Sequence, residues 1–361
     1  MKILHIHPSM AGGGIEAMIC GLVNEMVKFH DVTVCTIFEP TPDHVFEKKL
    51  SPLVHRISLG KVKEGFSINE IFKIFKVIND GGFDVVHIHG FFYYYALSVL
   101  LLHKKVKFVY TIHSDAAKEN SVWDRRLIAL KKFSFKHGLI HPVTISKESK
   151  RSFTAFYGQD STLIYNGIPE YNVQNNASKL IEYRKTDKTK LFLHPGRISE
   201  PKNQVVLVKA FDRLIKEGND VVLLIAGQKQ DMQIWSELEP YLNDRIIYLG
   251  ERSDVRDLLA ESDAFCLPSI WEGMPVTLLE ALSAGCVPIC SPVGGIPEVI
   301  INRENGLLSS DSSEEAYYQT LKYFMTLSDS DIIKLREHCL ESFKKYRISE
   351  VAKKYIEVYN L

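Results

Sequence analysis

The sequence predicts an α/β protein of two Rossmann-like domains, each built on a parallel sheet. At 361 residues the chain exceeds the length at which a single hydrophobic core usually stops growing. Short runs of β-branched and aromatic residues alternate with amphipathic helical stretches along almost the whole chain, the pattern of parallel strands joined by crossover helices. Hydrophobic residues make up 45% of the chain and charged residues 24%, so there is material for two packed cores.

The strand candidates fall into two series separated by a polar segment. That segment contains NVQNNASK and RKTDKTK, a composition typical of a linker. We therefore expect a first domain at 1–168, a linker at 169–189, a second domain at 190–345 and a C-terminal helix at 346–361. The strand candidates are residues 2–7, 32–38, 84–89, 108–113, 142–145 and 162–165 in the first series, and 191–195, 221–226, 245–249, 264–267 and 287–290 in the second.

Two such domains are expected to enclose a cleft. In open parallel sheets ligands bind beyond the carboxyl ends of the strands. The loops that follow the strands are therefore the places to look for functional residues.

Charge and apolar runs limit the classes of function. The formal net charge is zero, which argues against a general nucleic-acid binder. Residues 1–168 nevertheless carry 21 Lys and Arg against 15 Asp and Glu, while the remainder carries 23 against 29. The basic first half is expected to face anions, either phosphates or a membrane surface. No apolar run reaches the roughly 18 residues that span a bilayer, and the N-terminus lacks a signal-peptide pattern, so we expect a cytoplasmic protein.

The six cysteines form no C-x-x-C pair that would indicate zinc or a redox dithiol. Most lie inside apolar segments. They are expected to be reduced and buried.

The loop after the strand at 191–195 places two cations near a strand end. The sequence HPGRISEPKNQ puts Arg197 at the carboxyl edge, and Pro201 is suited to the first turn of a helix. Lys202 then falls in that turn, where a cation opposes the helix dipole unless an anion lies nearby. A diphosphate would be such an anion, bound by Arg197 as a fork and Lys202 as a point charge. Two solvated surface cations would give the same pattern.

Residues 261–300, ESDAFCLPSIWEGMPVTLLEALSAGCVPICSPVGGIPEVI, carry the strongest signal. A buried strand ends near Pro268, and Pro275 can open a helix that runs to about Ala284. Gly273, between them, permits close approach of the backbone to a ligand, and the amides of the helix start favour a phosphate.

Glu280 is unusual because it lies among Leu and Ala residues of that helix. A carboxylate in such surroundings needs a partner. The hydroxyls of a ribose would satisfy it as a bidentate acceptor, and an internal Arg or Lys is the alternative.

These motifs resemble those of the retaining glycosyltransferases of family four (glycosyl transferases group 1), which have the two-domain GT-B fold. Glu272 and Glu280, with seven residues between them, look like the paired-glutamate motif of that family. The other matching segments are Gly196-Arg197 with Lys202, Gly294-Gly295 with Pro297-Glu298, and, in the first half, GGGIE at 12–16, DVVHIHG at 84–90, YTIHSD at 110–115 and YNGI at 165–168.

The resemblance implies a role for each matching residue. Arg197 and Lys202 would hold the donor diphosphate, Glu280 the ribose, and Glu272 the donor sugar. The base would be read mainly by backbone in the loop near Glu251. The implied catalytic residues are His113, Glu272, Arg197 and Lys202, and the implied substrate-binding residues are Gly13, Gly14, Gly273, Met274, Val276, Glu280 and Arg252.

The resemblance further implies retention of anomeric configuration and no metal cofactor. Breaking the sugar–phosphate bond leaves negative charge on the diphosphate, which two cations and a helix N-terminus would stabilise. The donor is expected to be a UDP-sugar carrying a hexosyl or N-acetylhexosaminyl group, and the acceptor a glycan or polyprenyl-linked saccharide of bacterial surface polysaccharide biosynthesis. The last helix, near 349–359, is expected to cross back to the first domain, and the protein to meet the inner face of the cell membrane.

Three other functions compete with this one, among them a nucleotide-binding regulator that would bind its ligand without turnover. GGGIEA at 12–17 fits G-x-G-x-x-A, and Glu39 ends the second strand candidate where a dinucleotide enzyme keeps its ribose acid. A nicotinamide-dependent oxidoreductase would leave the glutamate pair unexplained. A nucleotide-sugar epimerase of the same fold would act without an acceptor.

Three further patterns have two interpretations each. His5 and His7, then His87 and His89, lie at period-two spacing near His113, which suits a metal site or a hydrogen-bonded group. Asp329-Ser330-Asp331 fits the D-x-D motif of metal-dependent glycosyltransferases, but its position predicts a helix cap. The basic helix predicted at 124–137 would rest on an anionic membrane or against the core.

Overall fold

The computed structural model describes residues 1–42, 44–63, 65–171 and 180–361. The chain divides into two units, Met1–Pro169 with Arg347–Leu361, and Glu170–Tyr346. Of the predicted linker, residues 172–179 lie outside the described residues.

The first unit is a parallel sheet with crossover helices. Its described strands pair in the order β3-β2-β1-β4-β5-β6-β7, so their carboxyl ends lie at one edge. The elements are β1 (Lys2–His7), α1 (Gly14–Met26), β2 (Asp31–Phe38), α2 (Val45–Lys49), β3 (His55–Lys61), α3 (Ile68–Gly81), β4 (Val85–Ile88), α4 (Ala96–Leu102), β5 (Lys107–Ile112), α5 (Val122–Arg126), α6 (Ile128–Lys136), β6 (His141–Thr144), α7 (Lys147–Tyr157) and β7 (Thr162–Leu163).

The second unit has the same architecture. Its described strands pair in parallel in the order β10-β9-β8-β11-β12-β13. The elements are β8 (Lys190–Pro195), α8 (Gln204–Lys216), β9 (Val221–Ala226), α9 (Met232–Leu238), β10 (Ile246–Gly250), α10 (Val255–Glu261), β11 (Ala264–Leu267), α11 (Val276–Ser283), β12 (Val287–Cys290), α12 (Ile296–Val299), β13 (Leu307–Leu308), α13 (Glu314–Met325) and α14 (Asp329–Phe343).

The two faces of each sheet are buried, as a parallel sheet requires. In β1, Leu4 and Ile6 belong to one hydrophobic cluster, and Ile3 belongs to the cluster on the other side. His5 follows the alternation onto the side of Ile3. The predicted fold class is confirmed: both units are α/β with parallel sheets.

The C-terminal helix, α15 (Ile348–Asn360), packs against α1 within the first unit. The backbone of Ile168 pairs with Arg347 in a parallel bridge, and Ile348 N donates to Ile168 O at 2.8 Å. Tyr355 and Tyr359 are buried in the cluster that contains Ile3. The helix therefore covers the sheet face that carries His5.

The basic helix predicted at 124–137 is two helices, α5 and α6, that meet at Leu127. Lys131 of this segment faces neither solvent nor a membrane surface, because it is only 1% exposed. Its ammonium donates to Tyr110 Oη at 3.1 Å and to Asn120 Oδ1 at 3.0 Å. A buried ammonium persists only with such partners.

Two smaller expectations are confirmed. All six cysteines are free and buried. Ser328 caps α14 in a capping box with Asp331, so the D-x-D pattern has the helix-capping role expected of it. Among the described residues, no helix combines the length and the apolarity that crossing a membrane requires.

Candidate active site

The loops after β8 and β9 are joined backbone to backbone. Gly196 N donates to Ala226 O at 2.8 Å, and Ile198 N donates to Gln228 O at 2.8 Å. A Cβ on Gly227, whose φ is +150°, would lie 2.0 Å from Gly196 O. Arg197 is exposed on this joined pair, and its guanidinium makes no hydrogen bond or ion pair within the described ranges. The guanidinium that the sequence predicts to bind a diphosphate is thus available to an anion from solvent.

Lys202 does not lie in the first turn of an α-helix, which corrects the sequence expectation. Glu200–Lys202 form a 3-10 turn, and α8 begins only at Gln204. Asn203 lies between the 3-10 turn and α8, and its backbone is in the left-handed region, with φ 56°. Its side-chain amide donates to Pro268 O at 3.0 Å and to Ser312 O at 3.1 Å. Asn tolerates this conformation because its short amide hydrogen-bonds locally.

Lys202 and Glu272, which are 70 residues apart, meet at the edge of this sheet. Lys202 Nζ lies 2.6 Å from Glu272 Oε1, and Ser269 Oγ donates to the same oxygen at 2.7 Å. The side chains are 20% and 10% exposed. Glu272 Oε2 accepts no hydrogen bond from a described residue, so one carboxylate oxygen remains for a ligand hydroxyl.

The loops after β11 and β12 are in close backbone contact at Gly294 and Gly295. A Cβ on Gly294, with φ +57°, would lie 1.9 Å from Glu272 O. Gly295 N donates to Gly273 O at 2.7 Å. Only a glycine fits at 294, because both the conformation and the contact exclude a side chain. This contact fixes the backbone of Glu272.

The helix predicted to begin at Pro275 is α11, which Pro275 precedes as its N-cap without a side-chain hydrogen bond. Met274 and Val276, at this start, are buried. The first-turn amides of an α-helix have no partner within the helix. They are suited to a phosphate, as the sequence predicts.

Glu280 is half-buried on α11, and the guanidinium of Arg256 is its electrostatic neighbour. Burial lowers the pKa of Arg256, and Glu280 is the largest influence that raises it. Arg256 Nη2 also lies 3.3 Å from Ser283 Oγ. The sequence left two partners open for the Glu280 carboxylate, a ribose and an internal arginine. The structure is compatible with both, because a carboxylate has about four acceptor sites.

Arg252 already has a partner. It binds Asp254 through two hydrogen bonds, Nε to Oδ1 at 2.9 Å and Nη2 to Oδ2 at 2.7 Å. This fork raises the pKa of Arg252. Its side chain is therefore committed to Asp254, which leaves the backbone of this loop as the group available to a base.

In the first unit, His113 follows β5 and is held from two sides. Its backbone N donates to Glu119 Oε2 at 2.9 Å, and its Nε2 lies 3.0 Å from His89 Nδ1. Burial lowers the pKa of His113 to about 3. The imidazole is therefore neutral near pH 7.

The histidines near His113 hydrogen-bond with one another and with their neighbours. His5 Nδ1 lies 3.2 Å from His89 Nε2, and His7 Nδ1 lies 3.1 Å from His89 O. Ring nitrogens of His5, His87 and His89 come within 4.8 Å of one another, a spacing that an ion could share. Both nitrogens of His87 are taken, however, by Tyr359 Oη and Thr111 Oγ1 at 2.7 Å each. The geometry favours the hydrogen-bonded interpretation.

Gly13 and Gly14 begin α1, with Gly13 as N-cap. A Cβ on Gly13 would lie 2.6 Å from Glu16 Oε2. Glu16 in turn lies 3.6 Å from His7 Nε2. The glycine thus leaves room for a carboxylate over the strand end.

Sequence reasoning missed three residues that shape these loops: Asn203, Glu119 and Lys131. Glu119 accepts from both His113 N and Tyr110 Oη, the latter at 3.2 Å. Lys131 lowers the pKa of Glu119 electrostatically, against a larger rise from burial. No local pattern marks them, since a lysine in KKFSFK reads as solvated and Asn203 acts through contacts 65 and 109 residues away.

Comparison with known proteins identifies matching protein families for both halves of the chain. The model described as "Glycosyl transferases group 1" matches residues 177–346, and the model described as "Glycosyltransferase Family 4" matches residues 12–170. Both domains of the chain are therefore matched in order.

Individual relatives and a solved structure agree with this match. The chain is 24% identical over 336 residues to the UDP-Gal:alpha-D-GlcNAc-diphosphoundecaprenol alpha-1,3-galactosyltransferase of Escherichia coli, covering 84% of this chain and 78% of that protein. It is 26% identical over 316 residues to the capsular polysaccharide biosynthesis glycosyltransferase CapH of Staphylococcus aureus, covering 83% of each. Anabaena Alr3699/HepE, solved in complex with UDP and glucose, superimposes with a TM-score of 0.78 at 17% identity, covering 100% of this chain and 99% of that one.

Proposed function

Since the chain belongs to the group 1 glycosyl transferases, we propose that it moves a sugar from a UDP-sugar to a polyprenyl-linked saccharide, with retention of anomeric configuration and without a metal ion. The family match gives the class of enzyme and its GT-B fold. The donor, the acceptor and the stereochemistry are inferences from the site and from the relatives.

The observation that carries the proposal is the contact of Lys202 with Glu272 at 2.6 Å. It brings a cation for a diphosphate and a carboxylate for a sugar to one point at the carboxyl edge of the second sheet. Arg197, exposed on the neighbouring loop, adds a second cation. A nucleotide sugar has a partner for each group: its diphosphate for the cations, and the hydroxyls of its sugar ring for the carboxylate.

The charges of the site match those of the reaction. When the bond between the anomeric carbon and the phosphate oxygen breaks, negative charge grows on the diphosphate. Lys202, Arg197 and the amides at the start of α11 would stabilise that charge from positions that they already hold in the folded chain. We assign to these groups the role that a divalent cation plays in other glycosyltransferases.

Retention follows if the acceptor hydroxyl attacks from the face that the diphosphate leaves. The acceptor oxygen forms the new bond to the anomeric carbon, and its proton passes to the departing phosphate oxygen. Glu272 is then a binding residue, because its free oxygen accepts a sugar hydroxyl while its other oxygen is held by Lys202 and Ser269. His113, neutral because its pKa lies far below 7, binds the sugar through a hydrogen bond.

The Escherichia coli relative, a galactosyltransferase named for a diphosphoundecaprenol-linked sugar, supports the polyprenyl-linked acceptor, and CapH, a capsular polysaccharide biosynthesis glycosyltransferase, supports a role in surface polysaccharide synthesis. Such an acceptor would bring the enzyme to the inner face of the membrane. The exposed cations Arg125, Lys132 and Lys136 on α5 and α6 suit an anionic surface. Co-sedimentation with vesicles containing anionic lipid tests this contact, and no binding at low salt would contradict it.

Product analysis tests the proposal. The full chain is incubated with EDTA, with UDP-glucose, UDP-galactose or UDP-N-acetylglucosamine, and with a short polyprenyl diphosphate that carries one N-acetylhexosamine. We expect one donor to yield a disaccharide whose anomeric proton coupling shows the configuration of the donor. An inverted linkage would contradict retention, and interconversion of the donor without acceptor would indicate the epimerase. Reduction of NAD, added in a parallel incubation, would indicate the oxidoreductase.

A further inference from the structure

Three buried histidines of the first unit form a chain of hydrogen bonds that ends at His113. His113 Nε2 lies 3.0 Å from His89 Nδ1, and His89 Nε2 lies 3.2 Å from His5 Nδ1. His5 and His89 are 0% and 1% exposed, and His113 is 9% exposed. The chain therefore runs from the sheet interior to the loop after β5.

All three rings are neutral. Burial lowers the pKa of His5 and of His113 to about 3, and the pKa of His89 well below its ordinary value. A neutral imidazole carries one N–H and one lone pair. Each ring in the chain must therefore donate in one direction and accept from the other, and all the hydrogen bonds must run the same way.

Two arrangements satisfy this condition. In the first, His5 donates from Nδ1 to His89, and His89 donates from Nδ1 to Nε2 of His113, whose own proton is then on Nδ1. In the second, every proton lies on the opposite nitrogen, and Nδ1 of His113 is a bare lone pair.

The far end of the chain decides between them. His5 Nε2 is buried and has no hydrogen-bond partner among the described residues. The first arrangement leaves a lone pair there, and the second leaves an N–H group. Among buried backbone groups, an N–H without a partner is rarer than an unsatisfied acceptor, and we apply the same preference to this imidazole. The first arrangement is favoured for this reason.

We propose that His89, supported by His5, is a positioning residue that fixes the tautomer of His113, so that His113 presents an N–H donor at Nδ1. No described residue hydrogen-bonds to that nitrogen, and His113, at 9% exposure, is the least buried of the three rings. His113 then binds an oxygen of the donor and does not act as a base, since its only lone pair accepts from His89. The role of His113 toward the donor rests on the proposed function, but its tautomer does not.

Nuclear magnetic resonance of the full chain labelled with ¹⁵N-histidine tests the tautomer directly. Long-range ¹H–¹⁵N correlations at pH 7 distinguish a protonated Nδ1 from a protonated Nε2. We expect His113 and His89 both to be protonated at Nδ1. Protonation of His113 at Nε2 would overturn the proposal, whatever the enzyme proves to transfer.

Variants at His5 test the positioning role without touching the loop of His113. His5→Phe removes the donor to His89, so the tautomers of His113 should become mixed and kcat should fall about tenfold, a size typical of lost supporting hydrogen bonds. UDP affinity should not change, because the cations that hold it are in the second unit. His5→Asn, whose amide can replace the Nδ1 donor, should restore both the tautomer and kcat.

His103→Gln is the matched control, since His103 hydrogen-bonds only within α4 and its own turn among the described residues. It should leave the His113 signals and kcat at their original values. If His5→Phe keeps a single Nδ1–H tautomer at His113, the positioning role is wrong. If the tautomer shifts as expected but no nucleotide sugar binds, the positioning role stands and the proposed function fails.

Discussion

Lys202 Nζ lies 2.6 Å from Glu272 Oε1, so the cation predicted for a diphosphate and the carboxylate predicted for a sugar neutralise each other. On the proposed function, an incoming diphosphate would compete with Glu272 for the ammonium, and the sugar on that diphosphate would compensate by giving the carboxylate a hydroxyl. The pair would then couple recognition of the two parts of the donor.

Glu272→Gln should affect binding of the diphosphate and recognition of the sugar differently. Without the carboxylate, Lys202 is free for the diphosphate, so UDP should bind as well as before or up to about tenfold more tightly. The UDP-sugar loses its charged acceptor, a hydrogen bond of about 1.5–3 kcal/mol, so turnover should fall roughly ten- to a hundredfold. Calorimetry with UDP and initial rates measure both effects.

Glu237→Gln, on the exposed side of α9, removes the same charge away from the site and should change neither quantity. Weaker UDP binding in Glu272→Gln, together with unchanged turnover, would be the reverse of the expected pattern. That result would contradict the role of Glu272 as the hydrogen-bond acceptor for the donor sugar.

Gly294→Ala should damage the site through its backbone. The φ of +57° costs a non-glycine residue about 1–2 kcal/mol, and the new Cβ would meet Glu272 O at 1.9 Å, which adds about 1–3 kcal/mol of overpacking. The midpoint of thermal unfolding and kcat should both fall. Gly218→Ala is the control, because Gly218 has φ +85° and nothing within 4 Å of its Cβ.

The control variant should lose only the stability that the backbone strain accounts for and should keep its activity. Equal losses in the two variants would show that the contact with Glu272 is unimportant.

Glu119 should make stability depend on pH. Burial raises the pKa of this carboxyl from 4.5 to about 7, so the folded state holds its proton more tightly than the unfolded state does. The stabilisation is complete below about pH 4.5 and is lost as the pH rises to about 7, by an amount on the order of 3 kcal/mol. Unfolding midpoints measured across this interval report the loss.

Glu119→Gln cannot titrate, so its unfolding midpoint should depend less on pH between 4.5 and 7. Its amide oxygen can still accept from His113 N. Asp80→Asn, an exposed change in α3, should keep the pH dependence of the original chain. The same slope in Glu119→Gln as in the control would contradict the burial effect.

Glu280 should confer selectivity for the ribose. If its carboxylate accepts from the ribose hydroxyls, the chain should bind UDP more tightly than 2′,3′-dideoxy-UDP, by about tenfold or more. Glu280→Gln should bind the two nucleotides more nearly alike. If the carboxylate serves only Arg256, both proteins should show the same ratio, and competition calorimetry distinguishes these results.

Much of the fold could be predicted, because parallel strands are short apolar runs between amphipathic helices. The strand β3 was missed because its sequence, HRISLGK, lies at a sheet edge and is partly exposed. The strand β13 was missed because it has two residues. Edge strands lack the continuous burial that makes a strand visible in sequence.

The site was predictable where residue type and spacing carry the chemistry, as at Lys202 and Glu272. It was not predictable where long-range contacts decide. Asn203 takes over the start of α8 from Pro201 because its side chain reaches two distant carbonyls. Lys131 is buried because Tyr110 and Asn120 happen to meet it. Such contacts depend on the packed structure and leave no periodic signal.

The most direct test of the account is the affinity of UDP in EDTA for the original chain, for Lys202→Met, and for Lys216→Met as an exposed control on α8. We expect the original chain and the control to bind equally, and Lys202→Met to bind roughly ten- to a hundredfold more weakly, since a charge-assisted contact contributes about 1.5–3 kcal/mol. Added Mg²⁺ should not change the ranking. Equal binding by all three proteins, or binding by none until Mg²⁺ is added, would contradict a diphosphate site built from protein cations.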